Sequence, residues 1–296
     1  MKIKLLSIAA SIVAFSVSAH AQIFVGSYSN VIGKYNADGT TIDTSFISGV
    51  SDPQGMALLG SDLFVSNANV IGEYDATTGA TINASLISGL NNPQAMVFSG
   101  SNLFVVNNYF GTVGEYTTSG ETVNASLITG LNGAQGIAIS GSDLFVVDCG
   151  NGRVGEYTTT GETVNASLIT GLGFPRFIAV SGSDLFLTTN SNGGSAGWVS
   201  EYTTSGDLVN ASLISGLNGY GALTVSGTDL FVTSSSGGSG TVDEYTTSGD
   251  TVSVSLISGF YVPSAIAVQT AAVPEPSTWA MMIAGVGALF TFCRRR

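Results

Sequence analysis

Residues 135–170 read QGIAISGSDLFVVDCGNGRVGEYTTTGETVNASLIT, and this stretch decides the fold. It contains four short runs rich in β-branched, aliphatic and aromatic residues, at 135–140, 144–148, 153–159 and 163–170. Gly, Ser, Asp and Asn separate the runs, and these residues favour tight turns because they tolerate or stabilise the backbone angles that turns require. The pattern predicts four consecutive antiparallel strands, which we name A, B, C and D in chain order.

The same unit recurs along the chain with a period of about 40 to 45 residues, the length of a four-stranded propeller blade. Three markers each occur six times. The first is a Phe that follows Leu or Ile: Phe24, Phe64, Phe104, Phe145, Phe186 and Phe231. The second is a Tyr that follows Lys or Glu: Tyr35, Tyr74, Tyr116, Tyr157, Tyr202 and Tyr245. The third is the Ser that begins Ser-Leu/Phe-Ile-Ser/Thr-Gly: Ser45, Ser85, Ser126, Ser167, Ser212 and Ser255. The copies predict an all-β, six-bladed β-propeller of four-stranded blades over residues 22–270.

The phase of the repeat predicts how the ring closes. The segment IFVGS at 23–27 has the character of strand B, and SAIAVQT at 264–270 has the character of strand A. The C-terminal strand A is therefore expected to complete the blade that the N-terminal strands B to D begin, which hides the sheet edges of an open array. An open repeat solenoid is the alternative, and the lack of a polar capping repeat at either end disfavours it.

The fourth copy resembles the NHL-type propeller repeat. Its segment VVDCGNGRVGEYTTTG has an Asp, a Gly/Asn loop and an Arg followed by a β-branched residue, through Asp148, Asn151, Arg153 and Val154. The other five copies depart from this pattern in the loop. The resemblance therefore implies an NHL-like fold and says little about function.

The propeller segment is strongly acidic. Residues 22–273 contain 19 Asp and Glu residues and 3 basic ones, Lys34, Arg153 and Arg176, and so carry 16 net negative charges. Such a surface repels nucleic acid and anionic lipid, so neutral, cationic or metal-bridged partners are expected. The one histidine, His20, precedes the expected cleavage point of the signal peptide, which leaves no imidazole for general-base catalysis or metal ligation.

A signal peptide is predicted at residues 1–21. Lys2 and Lys4 precede an apolar run at 5–17, and the sequence AHA at 19–21 is a small-x-small cleavage site. A permanent membrane helix is the alternative, and the apolar run is short for a bilayer core of about 30 Å.

A sorting tail is predicted at residues 271–296. The motif Val273, Pro274, Glu275 and Pro276 precedes an apolar run at 279–293, and three arginines close the chain. By the positive-inside rule the arginines stay cytoplasmic, so a short transmembrane helix at 279–293 would hold the exported propeller at the inner membrane. Fifteen residues span only about 22 Å as a helix, which favours transient anchoring.

This tail resembles the PEP-CTERM sorting signal of Gram-negative bacteria, in which the Pro-Glu-Pro motif, the apolar span and the Arg cluster follow one another in this order. The resemblance implies an exosortase as partner. It also implies cleavage near the motif and delivery to the cell surface or the extracellular polysaccharide matrix.

Candidate binding residues lie where a propeller usually carries its site, at the start of strand A and in the loops around the channel. The first polar positions of the six A strands are Gln54, Gln94, Gln135, Arg176, Tyr220 and Ser264. Aromatic residues of the variable loops between strands B and C are Tyr109, Phe110 and Trp198. These groups are expected to bind a sugar or a peptide, and the alternative is that they solvate the channel and cap the blades.

No catalytic residue, metal site or cofactor is predicted. Glu73, Glu115, Glu156, Glu201 and Glu244 recur before the marker Tyr, but they lie on different blades and cannot share one ion. We therefore expect a binding or scaffold module of the cell surface or matrix, with a polysaccharide or a surface protein as ligand. The alternative function is a lactonase or lyase-like enzyme with a metal ion in the channel.

Overall fold

The computed structural model describes residues 21–190, 196–219 and 221–269. These residues form 24 β-strands and one 3-10 helix, and the strands build six four-stranded antiparallel sheets. We number the sheets as blades 1 to 6 around the ring. Each blade consists of strands A, B, C and D, and strand A is the innermost.

The strands of blades 1 to 3 have the following bounds. Blade 1 consists of β24 (Pro263–Gln269), β1 (Gln22–Ser27), β2 (Val31–Asn36) and β3 (Thr41–Ser48). Blade 2 consists of β4 (Met56–Leu59), β5 (Asp62–Asn67), β6 (Val70–Asp75) and β7 (Thr81–Ile87). Blade 3 consists of β8 (Pro93–Ser99), β9 (Asn102–Asn107), β10 (Thr112–Thr117) and β11 (Thr122–Ile128).

Blades 4 to 6 follow the same plan. Blade 4 consists of β12 (Ala134–Ser140), β13 (Asp143–Asp148), β14 (Arg153–Thr158) and β15 (Thr163–Ile169), with the 3-10 helix at Cys149–Asn151. Blade 5 consists of β16 (Phe174–Ser181), β17 (Asp184–Asn190), β18 (Gly197–Thr203) and β19 (Leu208–Leu217). Blade 6 consists of β20 (Leu223–Ser226), β21 (Asp229–Ser236), β22 (Ser239–Thr246) and β23 (Thr251–Phe260).

The ring closes within blade 1. Strand β24 pairs antiparallel with β1, placing Ile23 opposite Val268 and Val25 opposite Ile266. Each strand A also contacts the strand A of the next blade, from blade 1 around to blade 6 and back to blade 1. The predicted six-bladed propeller is confirmed together with its closure, and the open solenoid is excluded.

The core lies between neighbouring blades. All six marker phenylalanines are buried, and Phe104 of blade 3, for example, shares a cluster with Leu144 and Tyr157 of blade 4. Burial of one such side chain contributes about 1.5–3 kcal/mol relative to exposure. Because every blade packs against two others, both faces of strands B and C carry mainly apolar or small residues.

A glycine two positions before the marker Tyr makes room for its ring in blades 1 to 4. A Cβ at Gly155 would approach the Tyr157 ring to 2.8 Å, which is too close for a real contact. Blade 5 has Ser200 at this position, and there Tyr202 is partly exposed, whereas Tyr157 is buried. Blade 6 has Asp243 at this position and Tyr245 is still buried, so the Gly-x-Tyr spacing is a close-packing feature of blades 1 to 4 and not of every blade.

The loops fall on two opposite faces. On the upper face, B–C loops hydrogen-bond the connections from strand D to the next strand A; for example, the Tyr28 N–H donates to the Val262 carbonyl at 3.2 Å. On the lower face, A–B turns bond C–D turns, as where the Thr159 N–H donates to the Ser142 carbonyl at 2.8 Å. Strand A begins at the upper face, so the predicted binding residues belong to that side.

Residues 1–20 of the predicted signal peptide, the sorting motif at 273–276 and the transmembrane helix predicted at 279–293 lie outside the described residues. Within the described ranges, no helix has the length and apolar character that crossing a membrane requires.

Candidate functional site

The six A strands surround a cavity of about 240 Å³ on the axis of the propeller. Its lining side chains are mostly apolar, such as Met56, Phe177 and Ala222, and the polar side chains among the described lining residues are Gln54 and Thr224. Nearly half of the cavity surface is nevertheless polar. These lining residues include no carboxylate and no imidazole. Polar side chains that could bind a ligand are therefore few inside the cavity and more numerous at its mouth.

The mouth carries hydrogen-bonded polar side chains from neighbouring blades. Arg176 Nε of blade 5 donates to Gln135 Oε1 of blade 4 at 2.6 Å, so these two predicted residues are in direct contact. Gln54 Nε2 donates to the Tyr28 hydroxyl at 3.0 Å and to Asp52 Oδ1 at 2.6 Å. These contacts fix the orientation of amide, guanidinium and phenol groups at the entrance.

The remaining predicted positions of strand A contact structural partners. Gln94 is buried and donates to Asn92 Oδ1 at 3.1 Å. The buried Ser264 hydroxyl donates to the Pro53 carbonyl at 2.6 Å and links blade 1 to blade 2. Tyr220 lies outside the described residues. The five described positions therefore have different surroundings.

All exposed aromatic side chains in the described part of the chain lie on the upper face: Tyr28, Tyr109, Phe110, Phe174 and Tyr261. Sequence reasoning singled out Tyr109 and Phe110 and missed the other three. Tyr28 stands in the B–C loop SYSN, a signal that was present in the sequence. Phe174 is the first residue of β16 and Tyr261 lies in the D–A connection before β24, and no pattern in the repeat predicts exposure at either position.

The third predicted loop aromatic has a different position. Trp198 is the second residue of β18, where it pairs with Thr189 of β17, and it is only partly exposed. Its ring therefore belongs to the strand and not to the exposed aromatic set.

Tyr109 and Phe110 form the first of two aromatic stations, at the tip of the B–C loop of blade 3. Their side chains are 74% and 56% exposed. Flanking connections hold the loop on both sides, because the Tyr109 N–H donates to the Asn91 carbonyl at 3.4 Å and Asn108 Nδ2 donates to the Ala134 carbonyl at 2.8 Å. The two rings are thus presented to solvent by a loop that is bonded to its neighbours.

Tyr28 and Tyr261 form the second aromatic station, over blades 6 and 1. The Tyr28 N–H donates to the carbonyl of Val262, the residue after Tyr261. The Tyr261 ring lies over the B–C loop of blade 6, where a Cβ at Gly238 would be 3.3 Å from its Cε2. Glycine at this position lets the ring approach the loop backbone.

Charge is distributed unequally between the two faces. Of the 19 acidic residues of the propeller, only Asp52 and Asp148 lie at the upper face, together with Arg153 and Arg176. Asp148 is buried and pairs with Arg153 Nη2 at 2.8 Å. The upper face is therefore close to neutral, although the propeller as a whole is strongly acidic.

Like-charged carboxyl pairs lie near the lower face in four blades: Asp62 with Glu73, Asp143 with Glu156, Asp184 with Glu201 and Asp229 with Glu244. Burial raises the pKa of each of these Glu residues, and the charge of the neighbouring Asp raises it further. In blade 3, Asn102 Nδ2 instead donates to Glu115 Oε1 at 2.6 Å. In the described ranges, no group of three or more His, Cys, Asp or Glu residues could hold a metal ion.

Cys149 lies beside the upper face, in the 3-10 helix of blade 4. Burial raises the pKa of its thiol, and the nearby Arg176 opposes this effect. A raised pKa leaves little thiolate at neutral pH, so the geometry gives no sign of an activated nucleophile.

The fold is similar to that of solved propellers. A chain of the nidogen/laminin complex has a TM-score of 0.67 at 14% identity, covering 85% of this chain and 99% of that chain. A gluconolactonase from Xanthomonas campestris has a TM-score of 0.56 at 16% identity, with 69% and 76% covered. Virginiamycin B lyase from Staphylococcus aureus has a TM-score of 0.56 at 19% identity, with 73% and 75% covered. At such identities the similarity concerns the fold alone.

No curated protein matches the sequence as a relative. Residues 272–296 match the PEP-CTERM protein-sorting motif, which confirms the resemblance found in the sequence. The motif implies export across a membrane, a surface destination and processing by an exosortase. The chain therefore carries a PEP-CTERM protein-sorting motif at residues 272–296 and a six-bladed β-propeller in its described residues.

Proposed function

We propose that the propeller is a non-enzymatic binding module of the bacterial cell surface or extracellular matrix, and that its upper face binds a polysaccharide. One observation carries this proposal: the exposed aromatic side chains of the described residues share a single face, and that face is nearly free of net charge. The acidic residues are concentrated elsewhere.

Exposed aromatic side chains leave apolar surface in unfavourable contact with water, and a bound ligand covers that surface. Tyr109 and Phe110 leave most of their ring surface in water, and contiguous exposed apolar surface commonly marks an interaction site. Aromatic rings stack against the apolar C–H face of a sugar, and Tyr adds a hydroxyl that bonds polar groups. The amide groups of Gln54 and Gln135 at the mouth supply partners for sugar hydroxyls.

The sorting tail supports the choice of ligand. The resemblance of the tail implies delivery of the processed protein to the surface or polysaccharide matrix of a Gram-negative bacterium, where polysaccharide is within reach as a ligand. Acidic residues outside the upper face would keep the rest of the protein away from anionic polymers and lipids. Binding through the upper face alone would then give the module a defined orientation.

Retention on the native extracellular polysaccharide tests the proposal. The double variant Tyr109→Ala/Phe110→Ala is expected to weaken binding at least tenfold, because stacking surface is lost. The matched control is Val164→Ala/Val209→Ala, which trims two side chains that are each 54% exposed on outer strands. Equal retention of the aromatic and control variants, or no retention of the unmodified protein, contradicts polysaccharide binding by this face.

A protein ligand is the nearest alternative, and the same experiment distinguishes it from a polysaccharide ligand. Retention on protein from the matrix that survives digestion of the polysaccharide, but is lost after proteolysis, identifies a scaffold or adhesin with a surface protein as partner. The Tyr109→Ala/Phe110→Ala variant would then lose its binding to the protein ligand, and its binding to the polysaccharide would be unchanged.

An enzyme of the lactonase or lyase kind is the second candidate, favoured by the fold shared with a gluconolactonase and virginiamycin B lyase. Such chemistry on a channel metal needs oxygen or nitrogen ligands that converge on the axis. The described lining residues offer Gln54 and Thr224 among apolar groups, a donor set that does not fit. Lactone hydrolysis that depends on added divalent metal would revive this function.

A further inference from the structure

We infer that the ligand of the upper face is one extended polysaccharide chain that crosses the mouth of the propeller and contacts both aromatic stations. This inference rests on the proposed function and makes it more specific. It excludes a mono- or disaccharide held in a single pocket as the main ligand.

The order of blades places the two stations on opposite sides of the axis. The first station, Tyr109 and Phe110, lies on blade 3. In the second station, Tyr261 lies over the B–C loop of blade 6, and blade 6 is opposite blade 3 in a closed ring of six. Tyr28 of the same station stands in the B–C loop of blade 1, and its hydroxyl reaches Gln54 of blade 2. A ligand that contacts both Tyr109 and Tyr261 must therefore pass over the axis.

The distance between the stations exceeds the size of one sugar ring. A B–C loop lies about one and a half strand spacings outside strand A, so two opposite loops are at least three spacings, or roughly 14 Å, apart before the channel width is added. Only an oligomer of several sugar units spans this distance. A shorter fragment contacts one station at a time.

Polar groups between the stations suit the middle of such a chain. The Gln54 amide bonds the Tyr28 hydroxyl at 3.0 Å, which joins the second station to the mouth. The Arg176–Gln135 pair lies on the mouth between blades 4 and 5. Hydroxyl groups of the central sugars would find donors and acceptors here without entering the cavity.

The cavity itself disfavours threading of the chain along the axis. Its volume is only about 240 Å³, and Gln54 and Thr224 are the polar side chains among its described lining residues, so a threaded chain would find few side-chain partners for its hydroxyl groups. A chain that lies across the mouth keeps one side in solvent. The geometry therefore favours crossing over insertion.

Because one polysaccharide chain contacts both aromatic stations, its affinity depends on its length. Once the first station is occupied, the second binds at the effective concentration set by the connecting sugars, and linked contacts of this kind gain about 10²–10⁴ in affinity. Fragments too short to span the mouth do not gain this factor.

The test uses the full-length protein and fragments of the native extracellular polysaccharide, separated by size after mild hydrolysis, with binding followed by titration calorimetry. Long fragments are expected to bind at least 100-fold more tightly than short ones. Tyr109→Ala/Phe110→Ala and Tyr28→Ala/Tyr261→Ala should each reduce the affinity for long fragments to that for short ones, whereas Val164→Ala/Val209→Ala should not.

The outcomes separate the two proposals. If the polymer binds but affinity per chain is the same at every length, the crossing geometry is wrong and the polysaccharide-binding function stands. If one aromatic pair alone accounts for the whole effect, the crossing geometry is again wrong. If neither the polymer nor any fragment binds, the proposed function fails and this inference fails with it. Circular dichroism of each variant confirms that loss of binding is not loss of folding.

Discussion

Lys34 Nζ donates a 2.7 Å hydrogen bond to the carbonyl oxygen of Ala76, and this contact ties blade 1 to blade 2. The ammonium also bonds the Thr77 carbonyl at 3.2 Å and lies 4.5 Å from the centre of the Phe46 ring. Burial lowers the pKa of Lys34, and the charge of Asp75 opposes this shift. Blade 1 thus has a Lys at the strand C position where the other five blades have a Glu.

Replacement of this cation is expected to destabilise the ring. Lys34→Met keeps the apolar stem but leaves the Ala76 and Thr77 carbonyls without their charged donor, which costs about 2 kcal/mol of unfolding free energy. Urea unfolding measures the loss. Val164→Met, on the exposed outer edge of blade 4, is the control and should change stability by no more than about 0.5 kcal/mol. Equal stability of the two variants would show that the contact contributes nothing.

The four carboxyl pairs predict how stability depends on pH. The pKa of Glu73, Glu156, Glu201 and Glu244 is raised in the folded protein above the ordinary value of 4.5. A raised pKa means that the folded state holds the proton more tightly. The stability that these Glu residues contribute is therefore fully present below pH 4.5, and it is lost as the pH rises through their pKa in the folded protein.

Lowering the pH from neutral towards 4.5 is accordingly expected to raise the urea midpoint. Changing all four Glu residues to Gln should flatten this dependence, because the groups no longer titrate. A control with the same charge change, Glu121→Gln, Glu162→Gln, Asp207→Asn and Asp250→Asn, alters exposed C–D turns outside the pairs and should keep the slope. An unchanged slope in the fourfold Gln variant contradicts the role of the pairs.

The repeat allowed the architecture to be predicted because each blade uses the same local signals. The strands around Phe145 and Tyr157 were predicted from turn residues and β-prone runs, and the phase of the repeat predicted that β24 would complete blade 1. These features follow from short-range chemistry that is copied six times. When the local signals of every repeat agree with the same architecture, the fold can be predicted from one sequence.

The candidate site was less predictable because it depends on contacts between loops that are distant in sequence. Arg176 and Gln135 could be assigned to neighbouring blades, but not their hydrogen bond. The exposure of Tyr261 depends on its position over Gly238, and the apolar lining of the axis depends on which strand A residues face inward. Residue patterns within one repeat do not specify these relationships between repeats.

The Gly-x-Tyr spacing leads to a packing prediction. Gly155→Ala is expected to destabilise the propeller by about 1–3 kcal/mol, because the new methyl group overlaps the buried Tyr157 ring. Ser200→Ala is the matched control, since this position of blade 5 already carries a Cβ. The control loses only the 2.8 Å hydrogen bond from the Ser200 hydroxyl to the Ala211 carbonyl, about 1 kcal/mol. A Gly155→Ala variant as stable as the unmodified protein in urea would contradict the packing role.

The last prediction concerns the NHL-like segment of blade 4. Asp148 is 1% exposed and accepts hydrogen bonds of 2.8 Å from the Asn132 N–H, from Asn151 Nδ2 and from Arg153 Nε. Asp148→Ala therefore removes one acceptor from three donors, and we expect a loss of about 3 kcal/mol. Arg153 is 25% exposed, so solvent screens its part of the ion pair and Arg153→Ala should cost only about 1 kcal/mol.

A double-mutant cycle in urea separates the ion pair from the other bonds of Asp148. The coupling energy between Asp148 and Arg153 is expected to be smaller than the full effect of Asp148→Ala, because the bonds from Asn132 and Asn151 do not involve the arginine. If Arg153→Ala costs as much as Asp148→Ala, the guanidinium and not the loop donors is the main partner of the carboxylate. Asp148 and Arg153 would then act as one unit, and the 3-10 helix at Cys149–Asn151 would depend on the ion pair for its position.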